Sequence, residues 1–270
     1  MIVTIDTNIL VNAFLNMKIS YLEVVEFKYL KIALDEKKIV EDEYQKICGS
    51  SSIYRKWFRR LEQNQSIHLD NGDLAVEHQT KLNSFGCTGL INYTLVAVAS
   101  NTDKVLVTEN NLFGKNTYSS TGASILKYLK DDMKIQLYSA SEFSWKIWLI
   151  MAEYKLEVAE KLFNLEYFDD CISRAYYGMF YAAKAALFSV NVDAKKITHK
   201  GIRNKFSEKF VKTGKVDKKY SRMLFETMKM RHTSDYDTQI PDPPTKARAK
   251  GIIADLKQFI RKIREVLDDT

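Results

Sequence analysis

Ten glycines and three prolines in 270 residues are too few for a turn-rich β architecture, so long helices are expected. No run of 18 apolar residues occurs, and no membrane span is expected. The start at Met1 shows no basic segment followed by an apolar one, so nothing resembles a secretory signal. Cysteine is also scarce. Cys48, Cys87 and Cys171 are far apart, fit no metal-ligand spacing and cannot all pair. Free thiols in a reducing cytoplasm follow. His68 and His78 sit in no ligand spacing, and no Gly-rich phosphate loop is present.

What the chain does have is 46% apolar residues, enough for packed cores, and a length suited to about two domains. Its net charge of +7 is unevenly placed. Residues 144–270 hold 25 Lys and Arg against 17 Asp and Glu, a net of +8, whereas residues 1–143 hold 16 against 17, a net of −1. A basic half suits a polyanion such as RNA, and a solvated Lys-rich helical surface explains it equally well.

The first fourteen residues organise the N-terminal half. Ile2, Val3 and Ile5 read as a buried strand, Asp6 stands at its end, and Ile9 to Phe14 begin a helix. Asp6 either offers a carboxylate to a hard divalent ion at the sheet edge or belongs to a helix cap. The spacing of Leu22, Val25, Leu30 and Leu34 predicts a helix over 21–37. Lys38-Ile39-Val40 reads as a second strand, with Glu43 in the first turn of the helix that follows. Residues 54–61 are basic and aromatic. Arg55 and Arg59 are candidates for phosphate contacts, while Trp57, Phe58 and Leu61 make an amphipathic packing face. Further strands are expected at 67–69, 105–107 and 135–138, with helices at 73–85 and 91–100 between them. The alternation gives a parallel α/β sheet over 1–143.

This half resembles the PIN domain. The resemblance rests on Ile5-Asp6-Thr7-Asn8, Glu43, Asn92-Tyr93-Thr94-Leu95-Val96-Ala97-Val98-Ala99 and Leu106-Val107-Thr108-Glu109-Asn110, in that order. It implies an endoribonuclease that gathers acids around Mg²⁺ or Mn²⁺. Asp6 and Glu43 stand at the first two acidic positions. Asn92 and Asn110 stand where the family has Asp, and Glu109 is the neighbour that can substitute as a ligand. Asn is neutral and offers one carbonyl oxygen, so a weakened or inactive metal site with its shape retained is expected.

Residues 144–270 change texture. Helices are expected at 144–163, 166–190, 199–212, 217–230 and 245–267, which make a bundle without strands. This half resembles the HEPN superfamily, in the pattern of its UPF0332-like branch. The residues are Ser173-Arg174-Ala175-Tyr176-Tyr177-Gly178-Met179-Phe180-Tyr181-Ala182-Ala183-Lys184, Thr198-His199-Lys200-Gly201 and Arg231-His232-Thr233-Ser234-Asp235-Tyr236. The resemblance implies a place in a toxin–antitoxin or defence system, a homodimer, and an antitoxin partner. Ribonuclease members carry Arg followed four to six residues later by His. Arg231 has Asp235 at that distance instead, which suits an ion pair along the helix. Arg174 and Arg231 are the candidate RNA contacts of this half. Two functions stay open, an RNA-cutting enzyme and a non-cutting RNA-binding or dimerising module.

Overall fold

A computed structural model describes residues 1–27, 29–113, 120–190, 192, 194, 197–236 and 244–268, without the side chains of 19, 20, 23, 120, 121, 232–236 and 268. The chain divides into two compact units, Met1–Phe143 and Ser144–Thr270.

The first unit opens with β1 (Ile2–Ile5) and α1 (Thr7–Leu10), which runs on into a π-turn at Val11–Leu15. Then come α2 (Ile19–Val25), β2 (Lys31–Asp35), α3 (Ile39–Cys48), α4 (Ser52–Gln63) and β3 (Ile67–Asp70). The unit continues through α5 (Val76–Ser84), α6 (Leu90–Asn101), β4 (Val105–Val107), α7 (Ser120–Asp131) and β5 (Gln136–Tyr138). The five strands form one parallel sheet in the order β3-β2-β1-β4-β5, with Val3 opposite Ile32 and Thr4 opposite Leu106. Val3, Ile5, Ile32, Ala33, Leu34 and Leu106 are buried. Near-continuous apolar strands are what a sheet covered on both faces requires. α6 packs on α3, β1, β2 and β4, and its run from Thr94 to Ala99 is buried throughout. Those small side chains let the helix lie close to the strands.

The second strand is not where the sequence placed it. β2 is Lys31–Asp35, inside the stretch expected to be helical, and Ile39 and Val40 begin α3. Asp35 explains the shift. Its carboxylate is buried and accepts the backbone N–H groups of Ile39 (2.8 Å) and Val40 (2.8 Å). Together with the left-handed turn at Lys38 (φ 62°), this starts a helix there. Glu43 is therefore the fifth residue of α3, and the acids of its first turn are Glu41 and Asp42.

α4 buries Tyr54, Trp57, Phe58 and Leu61, so the apolar face of that basic segment serves packing. Trp57 Nε1 donates to the Val25 carbonyl at 2.7 Å. The guanidinium of Arg55 donates to the carbonyls of Gly49 (2.6 Å) and Ser50 (3.0 Å), just past the end of α3, and Arg59 is exposed. Ser139 and Glu142 form a reciprocal capping box at the start of α8 (Ala140–Asn164): Ser139 N–H donates to Glu142 (2.7 Å) and Glu142 N–H to Ser139 Oγ (3.2 Å).

The second unit is helical. It holds the rest of α8, then α9 (Phe168–Ser189), α10 (His199–Phe206) with a π-turn at Ser207–Val211, α11 (Lys218–Tyr236) and α12 (Lys246–Asp268). α9 is the central helix and packs on α10, α11 and α12. Gly178 permits this, because a Cβ there would stand 2.8 Å from a Leu256 methyl on α12. Asp242 and Pro243 lie outside the described residues. Cys48, Cys87 and Cys171 are free and buried, and burial pushes each thiol up to about 11. Among the described residues no helix is long and apolar enough to cross a membrane.

Candidate functional site

The order of the sheet reverses between β1 and β4, and the carboxyl ends of two such strands are where open α/β sheets bind ligands. Asp6 follows β1, and Thr108, Glu109 and Asn110 follow β4. The Asp6 N–H donates to the Val107 carbonyl at 2.9 Å, which joins the two strand ends. α6 leads into β4, so its first turn, with Asn92, lies toward the same edge. α3 starts from the end of β2, and among the described residues no hydrogen bond or ion pair joins its Glu43 to Asp6.

What these side chains do there is local bonding. One Asp6 carboxylate oxygen accepts from Thr108 Oγ1 (2.6 Å) and Asn8 Nδ2 (2.9 Å). Burial outweighs those bonds and raises the Asp6 carboxyl above its ordinary range. Asn92 Nδ2 donates to the Thr88 carbonyl at 2.6 Å, and Asn110 Oδ1 accepts the Leu112 N–H at 3.0 Å. Glu109 accepts from the Ala140 N–H (2.9 Å) and the Tyr21 hydroxyl (3.3 Å). Glu43 has Lys46 at 3.9 Å. Thr7 Oγ1 is buried without a hydrogen-bond partner and adds only a neutral oxygen beside Asp6. Among the described residues no three Asp, Glu, His or Cys side chains gather closely enough to hold a metal ion. One desolvated carboxylate with amide and hydroxyl neighbours does not fit Mg²⁺ or Mn²⁺, whose binding tracks ligand charge.

The helical unit carries a second cluster, drawn from α8 to α11. The Tyr176 hydroxyl and His199 Nδ1 are 2.7 Å apart. His199 opens α10, capped by Thr198, whose hydroxyl accepts the Gly201 N–H. The rings of Phe180, Tyr176 and Tyr177 surround His199, with centroids at 4.4, 5.6 and 6.0 Å. The Arg231 guanidinium lies 4.9 Å from the centre of the Tyr177 ring and 5.6 Å from that of Tyr176. Lys184, only 6% exposed, lies 4.1 Å from the Trp148 ring and 5.5 Å from that of Phe180. These are cation–π distances.

The electrostatics follow from the packing. Burial, then the Arg231 charge, then the Lys184 charge hold His199 below its ordinary value, so it is neutral at pH 7. Burial pushes the Tyr176 hydroxyl up to about 12, so it keeps its proton. Two hydrogen placements fit the Tyr176–His199 bond. With the hydrogen on Nδ1, Nε2 is a proton acceptor. With Tyr176 donating, Nε2 carries the hydrogen and is a donor. The cluster thus offers a neutral imidazole, a fixed guanidinium and stacked rings in one half-buried place.

Of the sequence candidates in this half, Arg231 belongs to the cluster. Arg174 is half-buried on α9, and among the described residues no hydrogen bond or ion pair ties it to the cluster. The Asp235 side chain, expected to pair with Arg231, lies outside the described residues, as does that of His232. Sequence reasoning left His199 without a role, because its partner Tyr176 is 23 residues away on another helix. The available signal was the Thr-His opening a helix after a polar loop.

Comparison with known proteins bears on this half. The HEPN domain family matches residues 145–266. A Methanocaldococcus jannaschii protein named a "putative toxin" is 34% identical over 119 residues, covering 44% of this chain and 85% of that protein. A second protein of that organism with the same designation is 39% identical over 89 residues, 33% of this chain and 59% of its own length. A "UPF0332 protein" of Thermotoga maritima is 28% identical over 122 residues, 45% of this chain and 89% of its own length.

Proposed function

Since this chain belongs to the HEPN family through its residues 145–266, we propose that it is the RNA-directed toxin of a toxin–antitoxin or defence pair, and that it cuts RNA without a metal at the Tyr176–His199–Arg231 cluster. The observation that carries this is the neutral imidazole of His199 held by Tyr176 beside the Arg231 charge. The relatives named as toxins support the toxin role. The basic excess of the same half supports a polyanionic substrate.

The chemistry assigned to the cluster is attack of an RNA 2′-hydroxyl on its own phosphate. His199 Nε2 takes the hydroxyl proton, with Nδ1–H donating to the Tyr176 oxygen. Arg231 neutralises charge on the phosphate oxygens, and solvent protonates the departing 5′-oxygen. The products are a 2′,3′-cyclic phosphate and a 5′-hydroxyl.

The N-terminal unit, on this proposal, is a PIN-type fold whose metal site is disabled. Support for the fold is the parallel sheet with Asp6 and Asn110 at neighbouring strand ends. Support for the loss is the donor set, with amides at 92 and 110 and with Glu109 bonded to Ala140 and Tyr21.

The test is labelled RNA incubated with the full chain in EDTA and, separately, in Mn²⁺. Cleavage in EDTA that His199→Ala abolishes is the expected result. Cleavage only in Mn²⁺, lost in Asp6→Ala, would transfer the activity to the first unit and overturn the assignment. RNA bound but uncut under both conditions would leave a binding module.

A further inference from the structure

A cleft of about 410 Å³ opens between α10 and α11, lined by Arg203, Lys218, Ser221, Arg222, Phe225 and Glu226. It is separate from the cluster just described. Lys218, Ser221, Arg222 and Phe225 fall at i, i+3, i+4 and i+7, so they form one stripe of α11. Arg203 reaches across from α10 and lies 4.6 Å from the centre of the Phe225 ring.

Several cations elsewhere on the helical unit are matched with acids: Lys161 with Glu157, Lys257 with Glu160, Lys246 with Glu166 and Arg264 with Glu153. In the cleft, among the described residues, none of Arg203, Lys218 and Arg222 is in an ion pair, and Glu226 is the one acid of the lining. Three uncompensated cations around a half-buried ring make a place for phosphates rather than a salt-bridged surface. Arg203 also connects the cleft with the cluster, because its charge helps to draw the Tyr176 hydroxyl down against burial. Arg222 and Arg231 are nine residues apart on α11, half a turn around it, so Arg203 rather than Arg222 is the link between the two places.

We infer that this cleft is a subsite for the sugar–phosphate backbone of single-stranded RNA, in which Arg203, Lys218 and Arg222 hold phosphates of a strand that reaches the cluster past Arg203. The inference rests on the RNA-directed reading of the helical unit, but not on cleavage.

Its test is fluorescence polarisation of a labelled single-stranded RNA against the full chain, titrated at 50 to 200 mM salt. Arg203→Gln/Lys218→Gln/Arg222→Gln removes three phosphate contacts, worth about 0.7 each in the slope of log affinity against log salt, or about 2 in all. The wild type is then expected to lose about 20-fold more affinity than the variant across that range. Lys161→Gln/Lys257→Gln/Arg264→Gln removes the same charge elsewhere and is expected to leave the slope alone. Lys218→Gln/Arg222→Gln alters only exposed side chains and keeps the test open should the triple variant fold poorly; its expected loss of slope is about 1.4. An unchanged slope, equal loss from the control triple, or no RNA bound by the wild type at 50 mM salt would each overturn the subsite. Polyglutamate binding with the same three-residue dependence as RNA, or better, would overturn the RNA assignment in favour of an acidic protein partner. Cleavage in EDTA, followed in parallel, separates the two readings: its absence with the salt slope intact removes the cutting site and leaves the subsite standing.

Discussion

Placing carboxylates at both amide positions with Asn92→Asp/Asn110→Asp tests whether too little charge is what keeps the N-terminal unit from fitting a metal. Asn110 accepts the Leu112 N–H through its oxygen, and Asp keeps that bond at almost no loss. Asn92 donates to the Thr88 carbonyl, and Asp cannot. Losing that bond costs about 0.5–1.5 kcal/mol. An acid in the first turn of α6 regains about 0.3–1 kcal/mol from the helix dipole. Without metal the variant is therefore expected to lose on the order of 1 kcal/mol, a fall of roughly 3–5 °C in Tm for a unit of this size. Mn²⁺ at about 100 times its Kd returns about 2.7 kcal/mol, an upward shift on the order of 10 °C. Calorimetry of the full chain with and without Mn²⁺ reads both effects. The relevant transition is the one that Asp35→Ala moves, since Asp35 belongs to the first unit. A wild-type transition that rises with Mn²⁺ as much as the variant's, or a variant that does not respond, would refute the argument that missing charge disables the site.

Three other outcomes are expected. Asp35→Ala strips the partner from two amides at the start of α3 and should destabilise the first unit by about 2–4 kcal/mol, read from denaturant midpoints. Gly72 has φ 70°, and a Cβ there would stand 2.6 Å from Asp35 Cβ, so Gly72→Ala should cost about 1–3 kcal/mol in the same assay. His199 is depressed in the fold, so the unfolded chain takes up its proton first. Its contribution to stability is present above about pH 6.5 and is lost as pH falls through the folded value. The drop in urea midpoint between pH 7 and pH 5 should shrink in His199→Gln, which should also cut RNA cleavage by about 10²–10⁴-fold.

The strands at 2–5, 67–70, 105–107 and 136–138 were legible because short β-branched or apolar runs stand between turn residues. β2 was not. Leu30 and Leu34 continue the spacing of Leu22 and Val25, which imitates a helix until the sheet claims Ile32, Ala33 and Leu34. The bundle helices were legible from their three- and four-residue steps. In the site, Asp6 could be placed at a strand end from sequence, but the bonds that occupy Asn92 and Glu109 come from Thr88, Ala140 and Tyr21, which no local pattern announces. His199 became meaningful only when α9 and α10 brought it to Tyr176.

The three buried thiols have a practical sequel. At about 11, each carries on the order of one thiolate per ten thousand molecules at pH 7, whereas an exposed cysteine near 8.5 carries roughly three per hundred. A cysteine introduced on the exposed side of α11 would therefore react with maleimides almost alone. Dyes or photocrosslinkers can be attached beside a bound strand without first removing a single native sulfur.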